Sequence, residues 1–484
     1  MRISASRRRT GLGAASAALL VVGAMTLTSS AATTVYAGPT PDAPCAPGAL
    51  RESMQGRVSL AEVQSGRAAK GYRCNTVELS HNGETGGYHV YRYRDHAGHV
   101  CAYYDTTLLI GRDLQYSVYR HGPGVVVLDM ADPRKPVQTD LLSSPAMVTP
   151  HESLRLNQRR GLLVAVAGLP VTLPGELDVY DVSKDCRSPQ LLSTTPTGLL
   201  GHESGFAPDG MTYWASSWLY SVGTLTAIDL SNPRLPRLLT VSTDYVLHGM
   251  SLSDDGKTLY GADQNAANGG ANKGLRILDV SDIQERKPNP QIRQIAYLRW
   301  PSISTPQINE PITIKGRPYT VEIDEFNTNN DVGAARIIDV KDPHHPRVVS
   351  NLRLAVNQAA NQAMLQDDPG FSGIQSYTGH YCAVPRRTNP NIVACSFILS
   401  GLRVFDIRNP AKPVEVAYFN PPSPQSGPDS LNPVTRVGSF AMSGPAFDVQ
   451  RGQVWYTDGN SGFYALQLVG AARAALDGTS PVPH

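Results

Sequence analysis

A short β-rich run ending in Asp, then a branched residue, then a Pro-bearing turn, recurs along the chain. The copies are GVVVLDMADPRKP from Gly124, ELDVYDVSKDCRSP from Glu176 and GTLTAIDLSNPRLP from Gly223. Three more are GLRILDVSDIQERKP from Gly274, ARIIDVKDPHHP from Ala335 and GLRVFDIRNPAKP from Gly401. GFYALQL from Gly462 is a seventh, degenerate copy. The copies stand about 45 to 70 residues apart, the period of small supersecondary units that must stack to bury their faces.

Each unit reads as four strands. Apolar Leu275 and Ile277 flank Arg276, the alternation of a strand packed between sheets. The repeated acids are Asp129, Asp181, Asp229, Asp279, Asp339 and Asp406. Such an Asp accepts hydrogen bonds from amides just beyond it and closes the turn. Pro133, Pro233, Pro343 and Pro410 fix φ inside that turn, and Pro136, Pro236, Pro346 and Pro413 start the outer strand. Between copies lie paired runs such as HESGFAP with MTYWASS, linked by Asp209-Gly210, Asp255-Gly256 or Lys315-Gly316. No helix-period segment of useful length interrupts them. The fold class expected is all-β: a seven-bladed β-propeller of four-stranded blades, after an N-terminal signal peptide.

Leu275-Arg276-Ile277-Leu278-Asp279-Val280-Ser281-Asp282 and Leu402-Arg403-Val404-Phe405-Asp406-Ile407 resemble the signature of the LVIVD-repeat family, over about residues 120 to 468. The resemblance implies an exported or surface propeller and is almost silent on activity. The last copy departs from it, with Leu466-Gln467 in place of the branched residue and Asp.

Residues 1–37 read as the signal peptide. Arg2, Arg7, Arg8 and Arg9 form its basic start, and an apolar run from Leu12 to about Leu27 follows. Val35-Tyr36-Ala37 fits a cleavage site, with Ala32 the alternative, and Ser6 to Leu12 loosely resembles a twin-arginine signal. Residues 38–73 form an extension able to donate a closing strand, 74–470 the propeller, and 471–484 a flexible tail. Removing 1–37 leaves 39 of the 43 basic residues against 41 acidic ones. That near-neutral balance, with no basic cluster, excludes nucleic acid as a natural partner. No later segment is apolar enough to span a membrane. A secreted or extracytoplasmic monomer with an extracellular ligand or protein partner is expected.

Six cysteines in an exported chain imply disulfides. Cys382 and Cys395 flank a hairpin and pair. Cys74 with Cys101 is the next pairing, leaving Cys45 with Cys186.

One polar position recurs where the first strand of a unit begins: His151-Glu152, His202-Glu203, His248 and His380, with Asn309-Glu310 in the fifth unit and Ser439 in the seventh. The first strand is the innermost, so these residues ring the central axis. Four imidazoles are suited to copper, iron or zinc, with Glu152, Glu203 and Glu310 as ligands or supporting acceptors. Carotenoid oxygenases and selenium-binding proteins also carry metal-binding histidines near a propeller axis, an analogy of architecture alone. The bland alternative is a hydrogen-bonded polar channel. His81, His89, His96 and His99 read as surface histidines. Asp324, Glu325, Asn327, Asn329 and Asp331 read as a solvated turn in preference to a calcium loop. Two functions stay open: a binding propeller engaging a ligand or partner at the channel mouth, and a metal-dependent, oxidoreductase-like enzyme.

Overall fold

The computed structural model describes residues 38–479, except 107–123, 168–174, 197–200, 218–222, 265–272, 301–303, 329–330, 372–374 and 423–437. Residues 1–37, the expected signal peptide, and most of the Pro/Ser-rich stretch 421–433 and the Asn/Gly-rich stretch 264–273 lie outside the described residues. Seven antiparallel sheets of four or five strands form a ring of blades, a β-propeller. Blade 1 comprises Val90–Arg94, Val100–Asp105, Val125–Asp129 and Val137–Leu142, ordered from inner to outer strand. The inner strands of blades 2 to 7 are Arg155–Asn157, Glu203–Phe206, Leu247–Leu252, Thr305–Ile314, Gly379–Ala383 and Ala446–Asp448. All seven copies of the repeat fall on third strands, from Val125–Asp129 to Gly462–Leu468.

The repeat's chemistry is local. Each of the six Asp side chains accepts the amide two residues on, at 2.8 to 3.1 Å. In all seven blades the outer pair of strands carries a one-residue register shift, which strengthens the twist. Gly210, in the turn between the first two strands of blade 3, has φ +74°, and a Cβ there would lie 2.7 Å from Arg160. The core is divided among the blade interfaces. Tyr93, Tyr103, Leu163 and Tyr180, for example, pack blade 1 on blade 2. Serine hydroxyls on outer strands reach proline carbonyls of the next blade's turn: Ser80 to Pro133, Ser193 to Pro233 and Ser350 to Pro410, at 2.6 to 2.8 Å.

Blade 7 lacks an outer strand of its own, and Thr76–Asn82 supplies it against Gly462–Leu468. This is residue-wise just past the 38–73 extension. Tyr72–Cys74 adds a fifth strand to blade 6. Arg403, fully buried, ties the same N-terminal segment down through Glu52 and Glu415. Residues 471–476, placed by the sequence in a tail, belong to a helix that begins at Gly470. Its Ala472, Ala475 and Leu476 are buried among Leu466, Leu468 and Val404, because apolar residues at that spacing share one face.

Disulfides join Cys382 with Cys395, Cys45 with Cys74 and Cys101 with Cys186. The expected Cys74–Cys101 and Cys45–Cys186 pairs are therefore wrong. Cys101 lies in blade 1 facing the turn of blade 2 that carries Cys186. Tyr103 donates to the Cys186 carbonyl at 2.7 Å and Asp95 accepts from the Cys186 amide at 2.9 Å, so both also hold that turn. Among the described residues no helix is long and apolar enough to cross a membrane.

Candidate metal centre

The starts of the inner strands bring side chains from several blades to one buried point, and local backbone devices aim them. His151 adopts φ +48°, an uncommon left-handed conformation for a residue with a Cβ. Blades 4, 5 and 6 each carry a register shift where the first strand meets the second, and the residues within it are His248, Gln307 and His380. Such bulges re-aim side chains. Gly249 follows His248, and a Cβ there would lie 2.3 Å from the Gln307 carbonyl, so only glycine lets blade 5 approach.

Glu152 is the hub. Its Oε2 lies 2.9 Å from His202 Nε2 and 3.4 Å from His248 Nε2. These two nitrogens are 3.1 Å apart. The other oxygen, Oε1, lies 3.1 Å from His380 Nε2 and accepts from Gln307 Nε2 at 2.6 Å. The His151 ring packs edge-on against His202 at 4.4 Å and against Tyr88 at 4.4 Å. All of these side chains are buried.

The far ring nitrogens settle the proton positions. His248 Nδ1 faces the Gln307 carbonyl at 3.3 Å and His380 Nδ1 faces the Met442 carbonyl at 2.7 Å. A nitrogen facing a carbonyl carries a proton, so whenever either ring is neutral its lone pair is on Nε2, on the side of Glu152. Burial pushes His248 down to about 3, against the attraction of Glu152. Burial works against charge on His380 too, but hydrogen bonds and charge from Glu152 and Glu325 lift it to about 10. For Glu152, burial opposes ionisation, and the histidines around it outweigh burial and hold it well below the usual carboxylate range. The cluster thus draws cationic charge: protons or a metal.

Glu203 stands beside this group but is otherwise engaged. Its Oε1 accepts from Arg155 at 2.5 Å and from the Ser204 amide at 2.8 Å, and Tyr381 donates to Oε2. Burial pushes its carboxyl up to about 8, with Arg155 pulling the other way. Glu310 is not part of the cluster. It lies near Arg387, 3.5 Å away, on the wall of a cavity. The reason is the bulge at Gln307, which makes Gln307 the fifth blade's axial residue in place of Asn309. Asn309 is buried, and Ser439 donates to Asn420.

The sequence missed three members. Glu325 sits at the end of the second strand of blade 5, 3.4 Å from His380 Nε2. Its neighbour Asp324 is bound by Arg336 and Ser304 at 2.5 and 2.6 Å. The turn expected across 324–331 therefore begins as strand, and Asn329 lies outside the described residues. His89 was read as a surface residue and is buried: Nε2 lies 3.0 Å from the Glu152 carbonyl and 2.9 Å from Arg155 Nη1. Gln307 is the third. The signal that finds Glu325 and His89 is the alternation within blades 5 and 1, not any motif. His81 is exposed and stacked on Tyr464, and His99 pairs with Asp95 at 2.8 Å.

A cavity of about 560 Å³ is lined by Tyr91, Arg92, Phe206, Glu310 and Arg387, with His89, Arg155 and Tyr381 also on its wall. The last three touch Glu152 or Glu203, so one layer of side chains separates the cavity from the cluster.

No protein-family model and no curated protein matches the chain. Among solved structures it is similar to Kuenenia stuttgartiensis hydrazine synthase, at 12% identity and TM-score 0.48, covering 81% of this chain and 98% of that one. The β-propeller domain of Myceliophteria thermophila Cps50 (Swd1) is similar at 11% identity and TM-score 0.48, covering 82% and 100%. A putative 6-phosphogluconolactonase from Bacteroides uniformis is similar at 13% identity and TM-score 0.45, covering 71% and 91%.

Proposed function

We propose that this is an exported metalloprotein whose propeller axis holds a transition metal, copper, iron or zinc, and that its activity is metal-dependent, oxidoreductase-like chemistry on a small molecule. The observation that carries the reading is the triangle of Glu152 Oε2, His202 Nε2 and His248 Nε2, with edges of 2.9, 3.1 and 3.4 Å. Metal bonds of about 2.0–2.2 Å put neighbouring ligand atoms about 3.0–3.5 Å apart. The triangle has that size. His151 groups with Glu152 and His202 and would be a further ligand on that side. The Nδ1–carbonyl bond of His248 is the orienting contact that ligand histidines carry.

Export is supported by three disulfides and by the basic, then apolar, N-terminal sequence. Kinship with LVIVD-repeat proteins is supported by the third-strand residues and their Asp turns. Elemental analysis of the purified native protein is expected to find at least one metal ion per chain, lost in His202→Ala. Less than a tenth of an ion per chain, unchanged in that variant, would end the metal reading. The cavity favours a second reading, a binding propeller that takes a ligand there without metal. Its mark is a ligand retained by metal-stripped protein and lost in Arg387→Ala.

A further inference from the structure

The two oxygens of Glu152 face two different sets of partners, and one metal position uses only one of them. Oε2 faces His202 and His248. Oε1 faces His380, whose Nε2 is also 3.4 Å from Glu325 Oε1. His380 has no solvent exposure, and its Nε2 lies between the two carboxylates. We propose that the centre is dinuclear: Glu152 bridges two divalent metal ions, the first held by His202 and His248 and the second by His380 and Glu325. The proposal rests on the first position binding metal.

Three features support the second position independently. His380 Nδ1 is committed to the Met442 carbonyl, so Nε2 is the nitrogen that a metal would take, displacing the proton held there between the carboxylates. Amides from outside orient both carboxylates: Gln307 Nε2 donates to Glu152 Oε1 at 2.6 Å and Gln375 Nε2 to Glu325 Oε1 at 2.5 Å. Each oxygen keeps a further lone pair. Gln307 is fully buried, and its own amide oxygen has no hydrogen-bond partner, so it is a spare oxygen donor on the residue that already orients Glu152. The chemistry of one carboxylate, one carboxylate–amide wall and one imidazole is harder than that of the two-histidine position. A carboxylate shared between metals is the arrangement of two-metal sites, where ions lie about 3.5–4 Å apart and clamp one substrate between them.

The test counts ions in the full-length protein. Metal-stripped protein is loaded with Co²⁺, passed over a desalting column and assayed for metal. Two equivalents are expected in the native chain and one in both His380→Ala and Glu325→Gln, the second being isosteric and keeping its bond to Gln375. The EPR intensity of the first Co²⁺ is expected to fall as the second binds, because the shared carboxylate couples the spins. One equivalent in the native chain would overturn the dinuclear centre and leave the single-metal reading intact. No bound metal would overturn both. Two equivalents that survive both substitutions, or an EPR signal that simply doubles, would place the second ion elsewhere and overturn the proposal.

Discussion

The outer turns and the axial strand starts occupy the same places in every blade, yet they are built on opposite rules. At the turns, each of six Asp residues accepts from the amide two residues on, the one bond that all six share. At the axis, His151, His202, His248, Gln307 and His380 have partners on other blades, and no two share the same set. A bond within a blade solves a folding problem that recurs seven times, so selection for it repeats. A bond across blades serves one point of the molecule, so each residue there is specified once.

The substitution that breaks this contrast most sharply is Glu152→Ala. The hub carboxylate is the common neighbour of three histidines, so bound Co²⁺ is expected to drop below a tenth of an ion per chain. Asp129→Ala, at an outer turn, is expected to leave the metal count at its native value. Equal losses in the two variants would mean that the axis responds to blade stability alone.

The disulfides repeat the comparison on a covalent scale. Cys101–Cys186 spans two blades and closes a segment of 85 residues, whereas Cys382–Cys395 closes 13 residues within one blade. By chain entropy the first is worth about 4–5 kcal/mol and the second about 3 kcal/mol. Urea unfolding of Cys101→Ser/Cys186→Ser is expected to show the larger loss. A loss no greater than that of Cys382→Ser/Cys395→Ser would show that blade 1 and blade 2 are held by packing, not by the bridge.

Asp229 is a turn acid that also gathers two arginines, one of them from the next blade. It accepts from the Ser231 amide at 3.0 Å, from Arg237 at 2.7 Å and from Arg286 at 3.0 Å. Arg237 is exposed, which discounts its share. Asp229→Ala is therefore expected to cost about 2–3 kcal/mol in thermal or urea unfolding, with the metal count unchanged. A cost under about 0.5 kcal/mol would show that the proline turn holds itself.

These rules also explain what was legible in the sequence. The third strands and the Asp turns sit at fixed places in the repeat, and the four axial histidines recur where a unit's first strand begins, though not at a fixed spacing from the Asp. Glu325 and Gln307 were not legible. Glu325 ends a second strand inside an acidic run that looks like a loop, and Gln307 reaches the axis because a bulge displaces Asn309. His89 belongs to a blade whose first strand carries no copy of the motif. Cys101 and Cys186 pair across an interface, and nothing in their spacing records which blades are neighbours in depth. Local bonds leave a periodic trace; cross-blade partners do not.

The smallest effect separates two aspartates by environment. Asp229 sits among amides and guanidinium groups; burial alone would raise its pKa, and those partners hold it well below its ordinary range instead. Asp105, at the end of blade 1's second strand, is fully buried, and that burial pushes it up to about 8 although it accepts from the Tyr88 amide. Between about pH 4 and pH 8 the folded chain keeps a proton on Asp105 that the unfolded chain has released, so stability falls as pH rises through that window. Below pH 6.5 the trend is masked. His89 and His248 have lowered values, the unfolded chain takes up protons that the folded one refuses, and their stability contribution grows with pH. From pH 6.5 to 8 that opposition is over, and Asp105 contributes a loss of about 1–2 kcal/mol. Asp105→Asn keeps the acceptor for Tyr88 and removes the proton, so urea midpoints of the variant are expected to decline less than those of the native chain over this range. Glu203 and His380 titrate in the same sense and remain in both proteins, so the difference between the two slopes belongs to Asp105. Parallel slopes would mean that water reaches the Asp105 carboxylate and that the acid is ionised, as Asp229 is.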